Sequence, residues 1–149
     1  MYSSVADMTR RYGEVELIRL TTPEGASATA IDETRVDGAL ADASAVIDSY
    51  VRRRYAVPIA GTVPAEIARA AAILARYDLA SGYGQQPSEQ MRDERDQVVR
   101  WLESVRDGRA LLDLTVVASS EESHATTGMR REIFGRRDDR GDYGYGYFG

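Results

Sequence analysis

The residues that first invite a chemical reading are the last nine, GDYGYGYFG, residues 141–149. Gly144, Gly146 and Gly149 spell G-x-G-x-x-G. In a dinucleotide site that pattern seats a pyrophosphate on a helix N-terminus, and it needs a strand before it and a helix after it. No helix-forming stretch follows it in this sequence, so the phosphate reading fails. Side chains alternate along an extended chain, which puts Tyr143, Tyr145 and Tyr147 on one side. Such an aromatic stripe is suited to lie on a partner surface.

Catalytic constellations are hard to assemble from what remains. The single histidine, His124, sits in the polar run ASSEESHATTG, where a Ser-His-Asp triad would have to be built on a loop. Asp93, Glu94 and Asp96 form an acidic cluster without the D-x-D-x-D-G loop that wraps calcium. They are interleaved with Arg92, Arg95 and Arg100, which reads as a solvated helix face laced with i,i+3 and i,i+4 ion pairs. Neither a Walker A glycine loop nor H-E-x-x-H occurs. With no cysteine in the chain, thiol chemistry, zinc knuckles and disulfides have no ligands. The expectation is a protein that is not an enzyme, with no cofactor and no metal.

Two basic stretches remain. Arg52, Arg53 and Arg54 follow an apolar helical pattern, and three readings stay open. They are a C-terminal turn of cations, a contact for an acidic partner, or a lining for a DNA channel. A negative lumen would also help DNA slide, so Asp93 to Asp96 could line a channel equally well. REIFGRR, residues 131–137, sets Phe134 among Arg131, Arg136 and Arg137.

Composition bounds the rest. The 149 residues are 43% apolar and 29% charged, with a formal charge of −5, which suits one compact domain with an appendage and argues against general attraction to DNA. All 19 basic residues are arginine. A GC-rich coding bias accounts for that more readily than a demand for bidentate ion pairs. No apolar run reaches the roughly 18–20 residues of a membrane span, and MYSSVADMTRR lacks a signal-peptide core. The expected site of synthesis is the cytoplasm.

The elements that must position these residues are helices almost throughout. Ser4 is placed to cap a helix ending near Tyr12, with Asp7 as capping-box partner and Gly13 as the stop. GEVELIRL suggests a second short helix with Val15, Ile18 and Leu20 near one side, before a TTPEG turn. From Asp32 to about Tyr55, Val36, Leu40, Ala43, Ile47, Tyr50 and Val51 recur at helical spacing, and Pro58 is the expected terminator. VPAE opens a fourth helix with Pro64 in its first turn, running to about Ser81. Ile67, Ala71, Leu74 and Tyr77 form its stripe, and Ala68, Ala70, Ala71, Ala72 and Ala75 should admit a close helix crossing. SGYGQQP is a loop. A fifth helix, from about Ser88 to Asp107, should bury Met91, Val98, Trp101, Leu102 and Val105 and stop at Gly108. LLDLTVV either caps the bundle or pairs as a strand. The fold class is all-α, a small bundle of about five helices with an extended C-terminal arm. Residues 1–117 are the domain. Residues 118–149 are a polar linker and an arm ordered on assembly.

The stretches VADMTRRYGEVELIRLT, ALADASAVIDSYVRRRYAVPI, VPAEIARAAAILARYDL and RWLESVRDG, in that order, resemble a Mu-like phage family, often labelled a domain of unknown function. The likeness covers about the first 117 residues, and its most specific local feature is the Tyr55 to Pro58 turn. Members are taken to be head–tail joining, or neck adaptor, proteins of the virion. The resemblance implies a ring of about twelve copies under the portal protein, in contact with the next neck or tail-terminator protein. Packaged DNA would pass through without sequence-specific binding, and no membrane is involved. Arg52, Arg53, Arg54, Arg131, Phe134, Arg136, Arg137, Tyr143, Tyr145, Tyr147 and Phe148 are then the candidate partner-interface residues. The alternative is a small helical regulatory or nucleic-acid-binding module. Against it, acids outnumber arginines over residues 1–117.

Overall fold

The computed structural model describes residues 1–115. Among them are five helices and no strand: α1 (Val5–Tyr12), α2 (Glu14–Thr21), α3 (Glu33–Val51), α4 (Ala65–Ala80) and α5 (Glu89–Arg106). The all-α expectation holds for these residues. The expected boundary at 117/118, and everything assigned to the arm, lies outside them.

Local signals set the helix ends. The Asp7 amide donates to Ser4 Oγ and the Ser4 amide donates back to the Asp7 carboxylate, each at 3.1 Å, closing the capping box at the start of α1. Asp32 and Ser88 cap α3 and α5 in the same way, accepting from the amides of Arg35 and Met91. Gly13, at φ 85°, is both the end of α1 and the start of α2. One residue therefore turns the chain between two helices, at a φ that side chains disfavour. Pro64 precedes α4 as its cap rather than occupying its first turn.

α3, α4 and α5 form the body, and their buried residues fall into two clusters. Val36, Ala39, Leu40 and Ala43 from the first half of α3 meet Ala72, Ala75, Leu79 and Ala80 from the second half of α4, so the two helices run antiparallel. Met8, Leu17 and Leu20 from α1 and α2, with Met91 from α5, complete that cluster. Ile47 and Val51 meet Ile67, Ala70, Ala71 and Ile73 in the other, with Val98, Leu102 and Val105 of α5. Ala70, Ala71, Ala72 and Ala75 are buried. The small side chains bring helix axes close, as the alanine pattern requires.

Three further readings need correction. α2 buries Leu17, Leu20 and Thr21, not a Val15 face, and Val15 is 83% exposed. α3 stops at Val51, seven residues before Pro58. The Arg54 and Tyr55 amides both turn back to the Val51 carbonyl, at 3.0 and 2.9 Å, because Tyr55 is drawn into the core. Trp101 is half-buried at the edge of the core rather than within it. Of the two readings of LLDLTVV, capping is the one found over its described part. Leu112 is buried, Leu114 packs against the same cluster, and neither lies in a strand.

Candidate partner interface

The arginine run sits where α3 gives way to the connection leading to α4, and two tyrosines shape that connection. Tyr55, 1% exposed, accepts from the Leu112 amide at 3.0 Å. Tyr2 accepts from the Ile59 amide at 3.0 Å and donates to the Asp48 carboxylate of α3. The Tyr2 amide also donates to Ser44 Oγ, at 3.1 Å. Each phenol thus satisfies a backbone N–H of an irregular segment that would otherwise be buried without a partner. Burial, and the hydrogen bond to Asp48 after it, push the Tyr2 phenol up to about 12.

Anchored by Tyr55 and Ile59, the turn splits its three cations. Arg52 and Arg53 are exposed and have no ion-pair partner among the described residues. Arg54 is half-buried and lies against Gly108, just past the C-terminal end of α5, where a methyl group would overlap its guanidinium. A cation at a helix C-terminus is favoured by the helix dipole. The run is therefore one packed arginine and two free ones. Arg131, Phe134, Arg136, Arg137, Tyr143, Tyr145, Tyr147 and Phe148 lie outside the described residues.

The acidic face of α5 is wired differently from the i,i+4 lattice expected of it. Glu94 reaches across to Arg76 of α4 at 3.3 Å, and Arg76 holds Glu16 of α2 at 2.6 Å. The Arg76 guanidinium also stacks over the Tyr12 ring of α1, 4.5 Å from its centroid. Four helices meet at one side chain that is only 14% exposed. Burial raises the pKa of the Tyr12 phenol, while the Arg76 charge pulls the other way. Arg95 pairs with its neighbour Asp96. The signal for this hub was an arginine inside an alanine-rich helix stripe, but its partners are distant in sequence.

Trp101 forms one wall of a groove of about 310 Å³ between α4 and α5, with Ile73 and Val98 as its floor and Glu66, Arg69 and Glu94 on its lining. The described residues hold no group of three or more side chains placed to bind a metal ion, and no helix long and apolar enough to cross a membrane.

Fold and surface together define a small helical protein whose described residues present two exposed, unpaired arginines at the end of α3 and a groove between α4 and α5. The chain belongs to the family described as Bacteriophage Mu, Gp36, whose model matches residues 2–131. It is 38% identical over 108 residues to gene product J of Escherichia phage Mu, covering 72% of this chain and 73% of that one. It is 32% identical over 144 residues to the Mu-like prophage FluMu protein gp36 of Haemophilus influenzae, covering 95% of this chain and 97% of that one.

Proposed function

We propose that this chain is a structural protein of a Mu-like virion that joins the DNA-filled head to the tail and has no catalytic role. The observation that carries the reading is the likeness to the prophage protein over 95% of this chain and 97% of the other. The surface supports it: exposed Arg52 and Arg53 mark the end of α3, and the Trp101 groove lies on a different helix pair. A ring closes only if each subunit offers two different patches.

In this reading copies of the chain assemble as a ring of about twelve under the portal protein. The next neck or tail-terminator protein docks on the far side. Packaged DNA threads the ring without sequence readout, and the stripe of Tyr143, Tyr145 and Tyr147, together with Phe148, anchors the arm on a neighbour. The test is complementation of a phage lacking this gene. Full-length protein should restore titre, and its loss should leave DNA-filled heads without tails in electron micrographs. Deleting residues 141–149 should keep the bundle folded and reproduce the tailless phenotype. Full titre from the truncated protein would refute the anchoring role, and tailed particles from the null phage would refute the joining role itself.

A further inference from the structure

The α4/α5 groove is open where the edge of the core leaves Trp101 only half-buried. Ile73, Val98 and Trp101 give it an apolar floor and wall, while Glu66 and Glu94 against Arg69 leave its lining with one excess negative charge. Its volume of about 310 Å³ has room for an aromatic ring and a branched aliphatic side chain together. An occupant should therefore carry two adjacent apolar side chains flanked by cations.

The chain contains such a segment. Ile133 and Phe134 are adjacent, with Arg131 and Glu132 before them and Gly135, Arg136 and Arg137 after, so three cations outweigh one acid across residues 131–137. The other aromatic segment, GDYGYGYFG, carries an aspartate and no cation, and the acidic lining disfavours it. We infer that the groove of one copy receives residues 131–137 of a neighbouring copy, with Phe134 against Trp101 and the arginines toward Glu66, since Glu94 is also held by Arg76. Reach permits this. Fifteen residues lie between Thr115 and Arg131, and a chain of that length with random-coil statistics would span about 20–24 Å on average. That approaches the roughly 27 Å length of α5, enough to leave the parent bundle. Assignment to a neighbour rather than to the same chain rests on the ring reading above, which requires two unlike, complementary patches on each subunit.

The single tryptophan of the chain is Trp101, so its emission reports on the groove alone. The host is the full chain carrying Phe134→Ala, which disables its own segment, and the probe is a synthetic peptide of residues 127–140. A saturable change in Trp101 emission is expected, with at least a tenfold weaker response to the peptide bearing Phe134→Ala. Glu66→Arg in the host should weaken binding several-fold at low salt, and Arg131→Glu in the peptide should restore part of it. No saturable change with the unaltered peptide would overturn the assignment.

In the wild-type chain, emission should vary with protein concentration as neighbours engage. Emission that is constant on dilution and indifferent to added peptide would mean that each chain fills its own groove, which also overturns it. The ring reading fails separately. Rings of Phe134→Ala protein that assemble normally would sink the groove assignment and leave head–tail joining intact, whereas peptide capture by a protein dispensable for joining would do the reverse.

Discussion

Replacing Arg76 by methionine removes the charge at the four-helix junction while keeping most of its apolar stem. Glu16 and Glu94, with side chains 23% and 30% exposed, are then left facing each other without the cation between them. Breaking a buried pair by removing one partner costs about 3–5 kcal/mol. Both carboxylates can turn partly to water, so solvent screening reduces the loss here to about 2–3 kcal/mol. For a domain of this size that corresponds to a fall of roughly 10–15 °C in melting temperature. Thermal and urea unfolding followed by far-ultraviolet circular dichroism at pH 7 measure it. Adding Glu16→Gln to Arg76→Met should recover part of the loss, because it removes the stranded charge. The Tyr12 phenol should titrate still higher once the Arg76 charge that lowers it is gone. A loss below about 0.5 kcal/mol, with no rescue by Glu16→Gln, would refute the view that this junction holds α1 and α2 to the body.

Three further outcomes follow from the packing. Ala71 is fully buried at the α3/α4 crossing, so Ala71→Leu should cost about 1–3 kcal/mol, and an unchanged melting temperature would place that face outside the core. Two glycines should respond with opposite signs. Gly108→Ala meets both a φ of 76° and the Arg54 guanidinium and should destabilise by about 1–2 kcal/mol, whereas Gly38→Ala, inside α3 with open space around it, should stabilise by up to about 1 kcal/mol. Alkaline titration should also weaken the fold. The Tyr2 phenol sits at about 12 when folded against 10 when unfolded, so the folded state holds its proton longer. Its contribution is full below pH 10 and is lost as pH rises toward 12, on the order of 1–2 kcal/mol after allowing for solvent. Urea midpoints at pH 9 and 11.5 test this, and Tyr2→Phe should flatten the difference.

What was legible in the sequence was whatever depends on near neighbours. The capping box at Ser4 and Asp7, the stop at Gly13 and the 3.6-residue stripe from Val36 to Val51 are all local, and each is found. The end of α3 was misjudged because Tyr55 is pulled inward by the Leu112 amide, a partner 57 positions away. Pro58 gave no warning of that. The face of α2 was misread because eight residues offer too few turns to separate a Val15 stripe from a Leu17 stripe. Only what α2 lies against decides between them. At the candidate interface, exposure of Arg52 and Arg53 suits a run of three cations just beyond a helix. Burial of Arg54 depends on Gly108 standing opposite it. The partners of Arg76 and the Trp101 groove were hidden for the same reason, since each is made by side chains that only the fold brings together.

The two buried clusters have a mechanical meaning. α3 and α4 run through both, one half of each helix in each cluster, and Leu74 touches both. The pair acts as a shaft with a separately packed knob at either end, one gripping α1 and α2 and the other gripping Tyr2, Tyr55 and Leu112. Away from Leu74, where the two meet, changes in one knob should add to changes in the other rather than couple with them, because additivity holds for distant sites without shared partners. A protein that must fit a different partner at each end could thus drift at one end, tracking changes in whatever it touches there, while the opposite fit is preserved.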